Sequence, residues 1–397
     1  DGCFILGGAV SVTAALAGHP ILGIPMAMIA GACAGGVTAL LQTKLGVPSI
    51  LAGIVTNTGL YTVNLMVMGW KSNAAILREE GYDVHLDTLN TTGDPELLQR
   101  ARETARKLGL PWHCSDVRER FRSEIIDYFI DGYRRGETPA PCTRCNPLIK
   151  WESLFRTATA CGYDHIATGH YFRIHREGNT RFVRMAADPA KDQSYYLWGV
   201  PQACLSMALT PMGDRFKSEV KTRYCNGGLQ RESMGVCFLE GRSYRQLLSE
   251  KLPQLEPGEI VDREGHVVGC HGGYAYYTIG QKRGLETSLP NGYGFMGWSE
   301  NNRVIVGNDS ELLHRTLIVR ESRLPDPHRL FDSPDIRVKI RGIGRNPEGF
   351  ASIRPDGHER LHVELTDAAW APAKGQPVVF YQNELVLGGG ILEDYRP

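Results

Sequence analysis

The distribution of apolar residues divides the chain into two unlike parts. Between residues 2 and 70 the only charged side chain is Lys44, and the stretches 21–41 and 47–69 are apolar at most positions. Since a helix needs about 20 mostly apolar residues to cross a bilayer, these stretches predict membrane-like helices. The alternative is a buried helical hairpin of a water-soluble domain, which rarely contains two uncharged runs of this length.

From residue 74 onward, helix and strand patterns alternate. Helices are predicted over residues 74–81, 95–109, 123–136 and 151–162, and strands over 82–89, 110–117 and 164–170. Such alternation indicates an α/β fold with an open, mostly parallel sheet. Because ligands bind beyond the carboxyl ends of parallel strands, the segment ATGHY at 167–171 is a candidate binding segment.

The C-terminal part has a different pattern, with short strand signals separated by glycine and proline. These signals run from NRVIVG to ELVLGGGIL and predict a small antiparallel barrel. Four regions are therefore predicted: a membrane-like segment 1–73, an α/β domain 74–205 to which residues 230–240 return, a central domain 206–290, and a C-terminal β-barrel 291–397.

The overall charge excludes one class of function. The 397 residues contain 44 Lys plus Arg and 44 Asp plus Glu, so the chain has no net basic surface with which to coat nucleic acid. A local basic groove is still compatible with this balance. Ten cysteines are too few for a disulfide-rich secreted scaffold of this length.

Three cysteines are the strongest candidates for chemistry. Cys142 and Cys145 lie in TPAPCTRCN, just before a predicted helix, and Cys237 lies in ESMGVCFLE. A thiol at a loop or helix N-terminus is expected to have a lowered pKa and to be a better nucleophile. A CxxC pair is also typical of half a zinc site or of a redox pair. No second CxxC completes a zinc site, so no metal site is predicted.

An ordered set of segments between residues 74 and 397 resembles the tRNA-specific 2-thiouridylase family. The segments are AAILREEGYDV, TPAPCTRCNPLIKW, ATGHYFRI, KDQSYYLW, PMGDRFKSEV, ESMGVCFLE, GHVVGCHGGYAYYTIGQKRGL, NRVIVG and GQPVVFYQNELVLGGGIL. The resemblance implies a catalytic domain of the PP-loop ATP pyrophosphatase type, a small central tRNA-binding domain and a barrel. It also implies a cytoplasmic enzyme.

The resemblance further implies the reaction, which is ATP-dependent 2-thiolation of the wobble uridine of tRNA. ATP is the expected nucleotide, with Mg²⁺, and no cofactor is expected to be tightly bound. A persulfide donor protein is the expected second partner. By resemblance Cys237 carries the persulfide, and Cys145 is the nucleophile that helps to release sulfur, which ends in a Cys145–Cys237 disulfide.

The remaining site residues also follow from the resemblance. The family pattern assigns Ala140, Pro141 and Cys142 to the target base, Gly169 and Leu89 to ATP, and His170, Lys191, Asp192, Gln193, Arg341, Gly342 and Gln376 to tRNA. Cys142 stands where some members have aspartate, and Gly342 stands where an aromatic residue is usual. A structural role for His170 at the end of a strand is an equal alternative.

One family feature is absent from the sequence. The family's pyrophosphate-binding loop of the type SGGxDS does not occur, and VMGWKSN at residues 67–73 stands in its place. Residues 1–73 instead resemble a fragment of the inner-membrane permease subunits of ABC-type importers, chiefly through the stretch 35–69. The first strand is therefore predicted to be missing, as in a fusion. Three hypotheses follow: a thiolation enzyme, a transport permease subunit fused to an impaired tRNA-binding domain, and a tRNA-binding protein without catalysis.

If residues 21–41 and 47–69 span a membrane, the full chain will sediment with membranes and resist extraction by alkaline carbonate. A chain that starts at Ala74 will remain in the supernatant, because the apolar segments are gone. Fractionation followed by immunodetection checks both forms. Recovery of the full chain in the supernatant would contradict the membrane-like prediction.

Overall fold

The computed structural model describes residues 80–224, 236–239, 242–289, 292–299, 301–357 and 360–397, together with Pro25 and Leu77. The predicted span 47–69 lies outside these residues, as does the span 21–41 except for Pro25. Most of the predicted helix 74–81 lies outside them as well. Within the described ranges, no helix is both long enough and apolar enough to cross a membrane.

The chain divides into two compact units. The first comprises Asp1–Leu86, Gln99–Trp112 and Phe216–Glu232, and the second comprises Asp87–Leu98, His113–Arg215 and Ser233–Pro397. In the first unit, the Leu110 amide donates to the Ala105 carbonyl at 2.9 Å. The chain turns here through Gly109, whose φ of 65° favours glycine.

The N-terminal half of the described chain alternates strands and helices. Its elements are β1 Leu86–Asn90, α1 Pro95–Leu108, β2 Trp112–Asp116, α2 Arg118–Arg134, α3 Pro141–Cys161, β3 Ile166–Ala167, β4 Arg173–Glu177, β5 Thr180–Arg184, α4 Gln202–Met207, β6 Ala208–Leu209 and α5 Lys217–Tyr224. Two of the helices contain π-helical segments, Arg122–Asp127 in α2 and Asn146–Trp151 in α3.

The C-terminal half is mainly strands. Its elements are α6 Tyr244–Lys251, β7 Gly258–Val261, β8 Val267–His271, β9 Gly294–Ser299, β10 Arg303–Gly307, β11 Leu313–Arg323, α7 Pro327–Asp332, β12 Ile336–Lys339, β13 Ala351–Pro355, β14 Leu361–Trp370, β15 Pro377–Gln382 and β16 Leu385–Arg396. The coarse prediction of an α/β fold followed by β-rich domains is therefore confirmed.

The α/β region contains two short pairs of strands. β1 pairs with β2, and β3 pairs with β6 in parallel, with Ile166 opposite Ala208. The predicted strand 164–170 is shorter than expected. The Thr168 hydroxyl lies 2.8 Å from Nδ1 of His170, and such a local side-chain bond competes with the sheet ladder.

Helix α3 begins ten positions before the helix predicted at residue 151. Pro141 occupies its first turn, where a proline ring fixes the backbone angle that a helix needs. Two ion pairs connect α3 to α2. Arg120 pairs with Glu152 at 2.9 Å, and Arg144 pairs with Glu124 at 2.8 Å.

The strands after α6 form two sheets, and this corrects one part of the predicted barrel. β7 to β10 form a four-stranded sheet in the order β8-β7-β10-β9. The strand in NRVIVG is β10, where Val304 lies opposite Ile260 of β7. It therefore belongs with the central region and not with the barrel. An apolar strand pattern does not specify its pairing partner, which packing decides.

The C-terminal sheet has eight strands. Its main path is β12-β15-β16-β11-β14-β13, and the β4–β5 hairpin joins it through β5 and β16. Its core includes Leu387, Val363 and Phe380, all fully buried. At Gly388 a Cβ atom would meet the Arg323 carbonyl at 2.3 Å, so glycine permits the close approach of β16 to the end of β11.

Leu387→Ala should destabilise the C-terminal sheet by about 2–5 kcal/mol, because the cavity would open inside its core. Leu313→Ala on β11 is the matched control. Its side chain is exposed, and its loss should cost under about 1 kcal/mol. Hydrogen exchange of the β15 and β16 amides measures both effects, and equal protection in the two variants would contradict this core.

Candidate active site

The N-terminus of α3 sets the position of two cysteines. Ala140 is its N-cap residue, and Pro141 is buried in the first turn. The Thr143 hydroxyl donates to the Ala140 carbonyl at 2.8 Å, which closes the turn. As a result Cys142 is exposed, whereas Cys145 faces the interior with 6% of its surface accessible.

The π-helical segment that follows anchors α3. Asn146 is buried, and its Nδ2 donates to the Tyr196 carbonyl at 2.9 Å. Tyr196 belongs to the 3₁₀ turn Ser194–Leu197 in the KDQSYYLW segment. Trp151 ends the segment and is fully buried. The cysteine-bearing helix is therefore fixed at both ends of its π segment.

Cys237 reaches the same place from a remote part of the sequence. It begins the 3₁₀ turn Cys237–Leu239 and is exposed. The next residue, Phe238, is buried and packs its ring 5.3 Å from Phe129 and 6.1 Å from Phe121, both on α2. Cys145 belongs to the same hydrophobic cluster as Phe238.

The electrostatics show that the three thiols are neighbours. The pKa of Cys145 is raised to about 12, mainly by burial, and the Cys237 and Cys142 thiols contribute to this rise. Burial also raises the pKa of Cys142, although this residue reaches the surface, and Cys237 again adds to the effect. The expectation of lowered pKa values at this helix start was therefore wrong, because desolvation outweighs the helix terminus.

The three cysteines are free thiols in this structure. Among described His, Cys, Asp and Glu side chains, the only group of three whose ligand atoms all lie within 4.8 Å of one another is Asp262, Glu264 and His266. This group lies at the exposed turn between β7 and β8 and contains none of the three cysteines.

His170 lies beside the π segment of α3. Its ring stacks on Trp151 with a centroid distance of 6.4 Å, and its Nδ1 lies 2.8 Å from the Thr168 hydroxyl. Burial lowers the pKa of His170 to about 3, so the imidazole is neutral near pH 7. Its contacts fit the structural alternative, and the residue as a whole is half-buried.

The two residues predicted for ATP lie in different elements, one in a loop and one in a strand. Gly169 is exposed in the loop after β3, as expected for close approach of a ligand. Leu89 lies within β1 and packs partly buried against the cluster that contains Phe121. Its side chain therefore contributes to the core.

Two of the three residues in the predicted tRNA loop make internal bonds. Asp192 accepts from the Ser194 hydroxyl at 2.7 Å and from the Ala186 amide at 3.0 Å. Gln193 accepts from the Tyr171 amide at 2.9 Å. Asp192 therefore holds the segment after β5, and Gln193 connects it to the loop after β3. Lys191 is half-buried at the start of the predicted tRNA loop.

The barrel residues predicted for tRNA lie in two places. Arg341 donates to the Trp370 carbonyl at 2.9 Å and covers the Trp370 ring, so much of its guanidinium is engaged. Gly342 is exposed, and a Cβ there would meet the Tyr196 hydroxyl at 2.4 Å. Gln376 accepts from the Ala373 amide at 3.3 Å and is half-buried.

The structure thus brings Cys142, Cys145 and Cys237 together and connects them to the barrel through Tyr196. Sequence analysis did not select Tyr196 or Lys150 as site residues. Lys150 acts electrostatically on Cys142, Cys145 and His170. Its position five residues after Cys145 in NPLIKW was the available signal. An α/β domain that contains three neighbouring thiols, followed by β-rich domains, defines the chain as a multidomain α/β protein with a candidate cysteine site.

Comparison with known proteins specifies the family. The family model described as tRNA methyl transferase HUP domain matches residues 46–241, the tRNA methyl transferase PRC-barrel domain matches 245–308, and the aminomethyltransferase beta-barrel domain matches 316–392. The boundary between the second and third matches, at residues 308–316, agrees with the change from the four-stranded to the eight-stranded sheet after β10. The HUP match starts inside the stretch predicted to be membrane-like, and none of these matches supports a permease.

Curated relatives agree with the family models. The tRNA-specific 2-thiouridylase MnmA 2 of Phocaeicola vulgatus is 36% identical over 330 residues, which cover 80% of this chain and 93% of the relative. MnmA of Natranaerobius thermophilus is 35% identical over 343 residues, which cover 80% and 93%. The chain belongs to the tRNA-specific 2-thiouridylase (MnmA) family.

Mild oxidation should join Cys145 to Cys237, because both face one cluster and the 3₁₀ turn needs only a small movement. A Cys142→Ser background removes the competing thiol. Cys161, exposed at the far end of α3, is the control and should not pair with Cys237. Non-reducing peptide mapping checks the product, and a Cys161–Cys237 link in its place would contradict the site.

Proposed function

We propose that the chain is a tRNA-uridine 2-sulfurtransferase that forms 2-thiouridine at the wobble position of tRNA. The observation that supports it most is the convergence of Cys237 on Cys142 and Cys145 in the α/β domain. The relatives are named tRNA-specific 2-thiouridylases, and the match covers about nine-tenths of their length. The three thiols lie within the region matched by the HUP-domain model.

The proposed chemistry assigns one step to each of two thiols. ATP supplies the activation that turns the uridine C2 oxygen into a leaving group. The outer sulfur of a persulfide on Cys237 attacks C2, and the oxygen departs. The Cys145 thiolate then attacks Sγ of Cys237, the bond to the outer sulfur breaks, and that sulfur stays on the base. Cys145 and Cys237 become a disulfide, which an external dithiol reductant must reduce.

The exposure of each thiol suits its proposed role. Cys237 is exposed, as a thiol must be to receive sulfur from a donor protein. Cys145 is buried, so reagents in solution reach it less readily than they reach Cys237. Cys142 is exposed at the helix start with Ala140 and Pro141, where we place the flipped target base.

We assign the tRNA backbone to surfaces that remain available beside this site. We expect tRNA to contact the exposed Gly342 and the half-buried Gln376 and His170. Asp192 and Gln193 would act through the loop that they shape, since their side chains are bonded internally. A tRNA substrate also favours the cytoplasm as the place of action.

The nucleotide fits the described residues only in part. Gly169 offers an open backbone for adenosine, whereas Leu89 is turned toward the core cluster. Among the described residues, the only group of three possible metal ligands is Asp262, Glu264 and His266, in the turn between β7 and β8. The sequence contains no SGGxDS loop to hold the pyrophosphate.

The missing loop favours a second candidate function, which is tRNA binding without turnover. We expect the chain as written to bind tRNA and to thiolate it poorly. The loss of even one hydrogen-bond donor that stabilises developing negative charge typically lowers the rate roughly 100-fold. A variant with the first strand and an SGGxDS loop placed ahead of Ala74 should be active. Its Cys237→Ser form should bind tRNA equally well and form no 2-thiouridine.

Filter binding and nucleoside mass spectrometry measure these two properties separately. Rapid thiolation by the chain as written would contradict the importance of the absent loop. Failure of the restored variant to form 2-thiouridine, with tRNA and ATP bound and a persulfide supplied, would contradict the proposed function itself.

A further inference from the structure

The cysteine site contains an exposed cation to which no step has been assigned. Lys150 lies within the π-helical segment of α3, and its side chain is exposed. Among the described residues it forms no ion pair. Most of the arginines near α3 differ in this respect, because Arg120, Arg144 and Arg156 each pair with a carboxylate.

The π segment explains why Lys150 faces the thiols. In an α-helix, residues five apart point about 140° away from each other. A π-helical turn bonds residue i to residue i+5, so residues with this spacing lie one above the other. Cys145 and Lys150 are five apart across the segment Asn146–Trp151. The π turn therefore places the ammonium on the side of the helix that carries the thiol.

Several elements contribute titratable side chains near Lys150. Cys142 and Cys145 come from the start of α3, Cys237 from its 3₁₀ turn, and His170 from the loop after β3. Tyr196 contributes a phenol close to Cys142. His170 is neutral near pH 7, and none of the other groups is a cation.

We propose, building on the sulfur-transfer function above, that Lys150 is the cation that stabilises the thiolate forms of Cys142 and Cys145. It is the only cation in the described residues whose charge opposes the effect of burial on either thiol. Because burial keeps Cys145 protonated, an opposing charge is needed for it to attack Sγ of Cys237. Lys150 is a positioning residue in this scheme, since it acts through the thiols.

Lys150→Met should move the pH profile of thiol alkylation at Cys142 and Cys145 to higher pH, with labelling at pH 8 reduced several-fold. Lys150→Arg keeps the charge and should stay close to the parent profile. Lys251→Met, which removes an exposed lysine at the end of α6, is the matched control. Iodoacetamide labelling of the whole chain, read by peptide mass spectrometry, gives each profile without tRNA or ATP.

Salt provides a second test that does not depend on a variant. In about 1 M salt the Debye length is about 3 Å, so the parent profile should move toward that of Lys150→Met. The Lys150→Met profile itself should hardly respond. Identical profiles for the parent, Lys150→Met and Lys251→Met, with no response to salt in any of them, would overturn the inference.

The activity of the restored-loop variant separates this inference from the proposed function. Lys150→Met should lower kcat for 2-thiouridine formation, and raising the pH should recover part of the loss, while KM for tRNA stays the same. A raised KM with unchanged alkylation profiles would show that Lys150 only binds tRNA, and would overturn the inference. Shifted alkylation profiles in a chain that never thiolates tRNA would support the lysine and contradict the function.

Discussion

The packing of Phe238 is the interaction on which the site depends. Its ring fills a cluster against Phe121 and Phe129 of α2, and Cys237 is the residue just before it. Burying a phenylalanine is favourable by about 1.5–3 kcal/mol, which is enough to hold a short turn against the domain. The anchor fixes Cys237 at the surface next to α3, so two thiols that are remote in sequence share one site.

The same core creates the chemical problem that the site must solve. Cys145 is available to Cys237 because both border one apolar cluster, and that cluster raises the pKa of Cys145 to about 12. A thiol in this state is protected but unreactive. A nearby ammonium group opposes this rise in pKa. The π-helical segment of α3 provides that group as Lys150, whose side chain is exposed and so places no charge in the core.

Several polar residues near the site serve the architecture. Asp192 holds the segment after β5, Gln193 connects that segment to the loop after β3, and Arg341 is engaged by backbone carbonyls of the barrel. Gly342 lies against Tyr196, whose carbonyl accepts the bond from Asn146 of α3. A chain of contacts therefore runs from the barrel to the cysteine helix, and a ligand on the barrel would be close to the thiols.

The sequence by itself determined the family, because the order of the motifs can be read without knowing which residues pack together. The family models and relatives confirm this assignment. It also determined helix α1 and strand β2, whose local patterns are strong. Only the tertiary structure decided that β10 pairs with β7, that α3 starts at Pro141, and that the thiols have raised pKa values. Strand pairing and desolvation depend on residues far along the chain, so no local pattern encodes them.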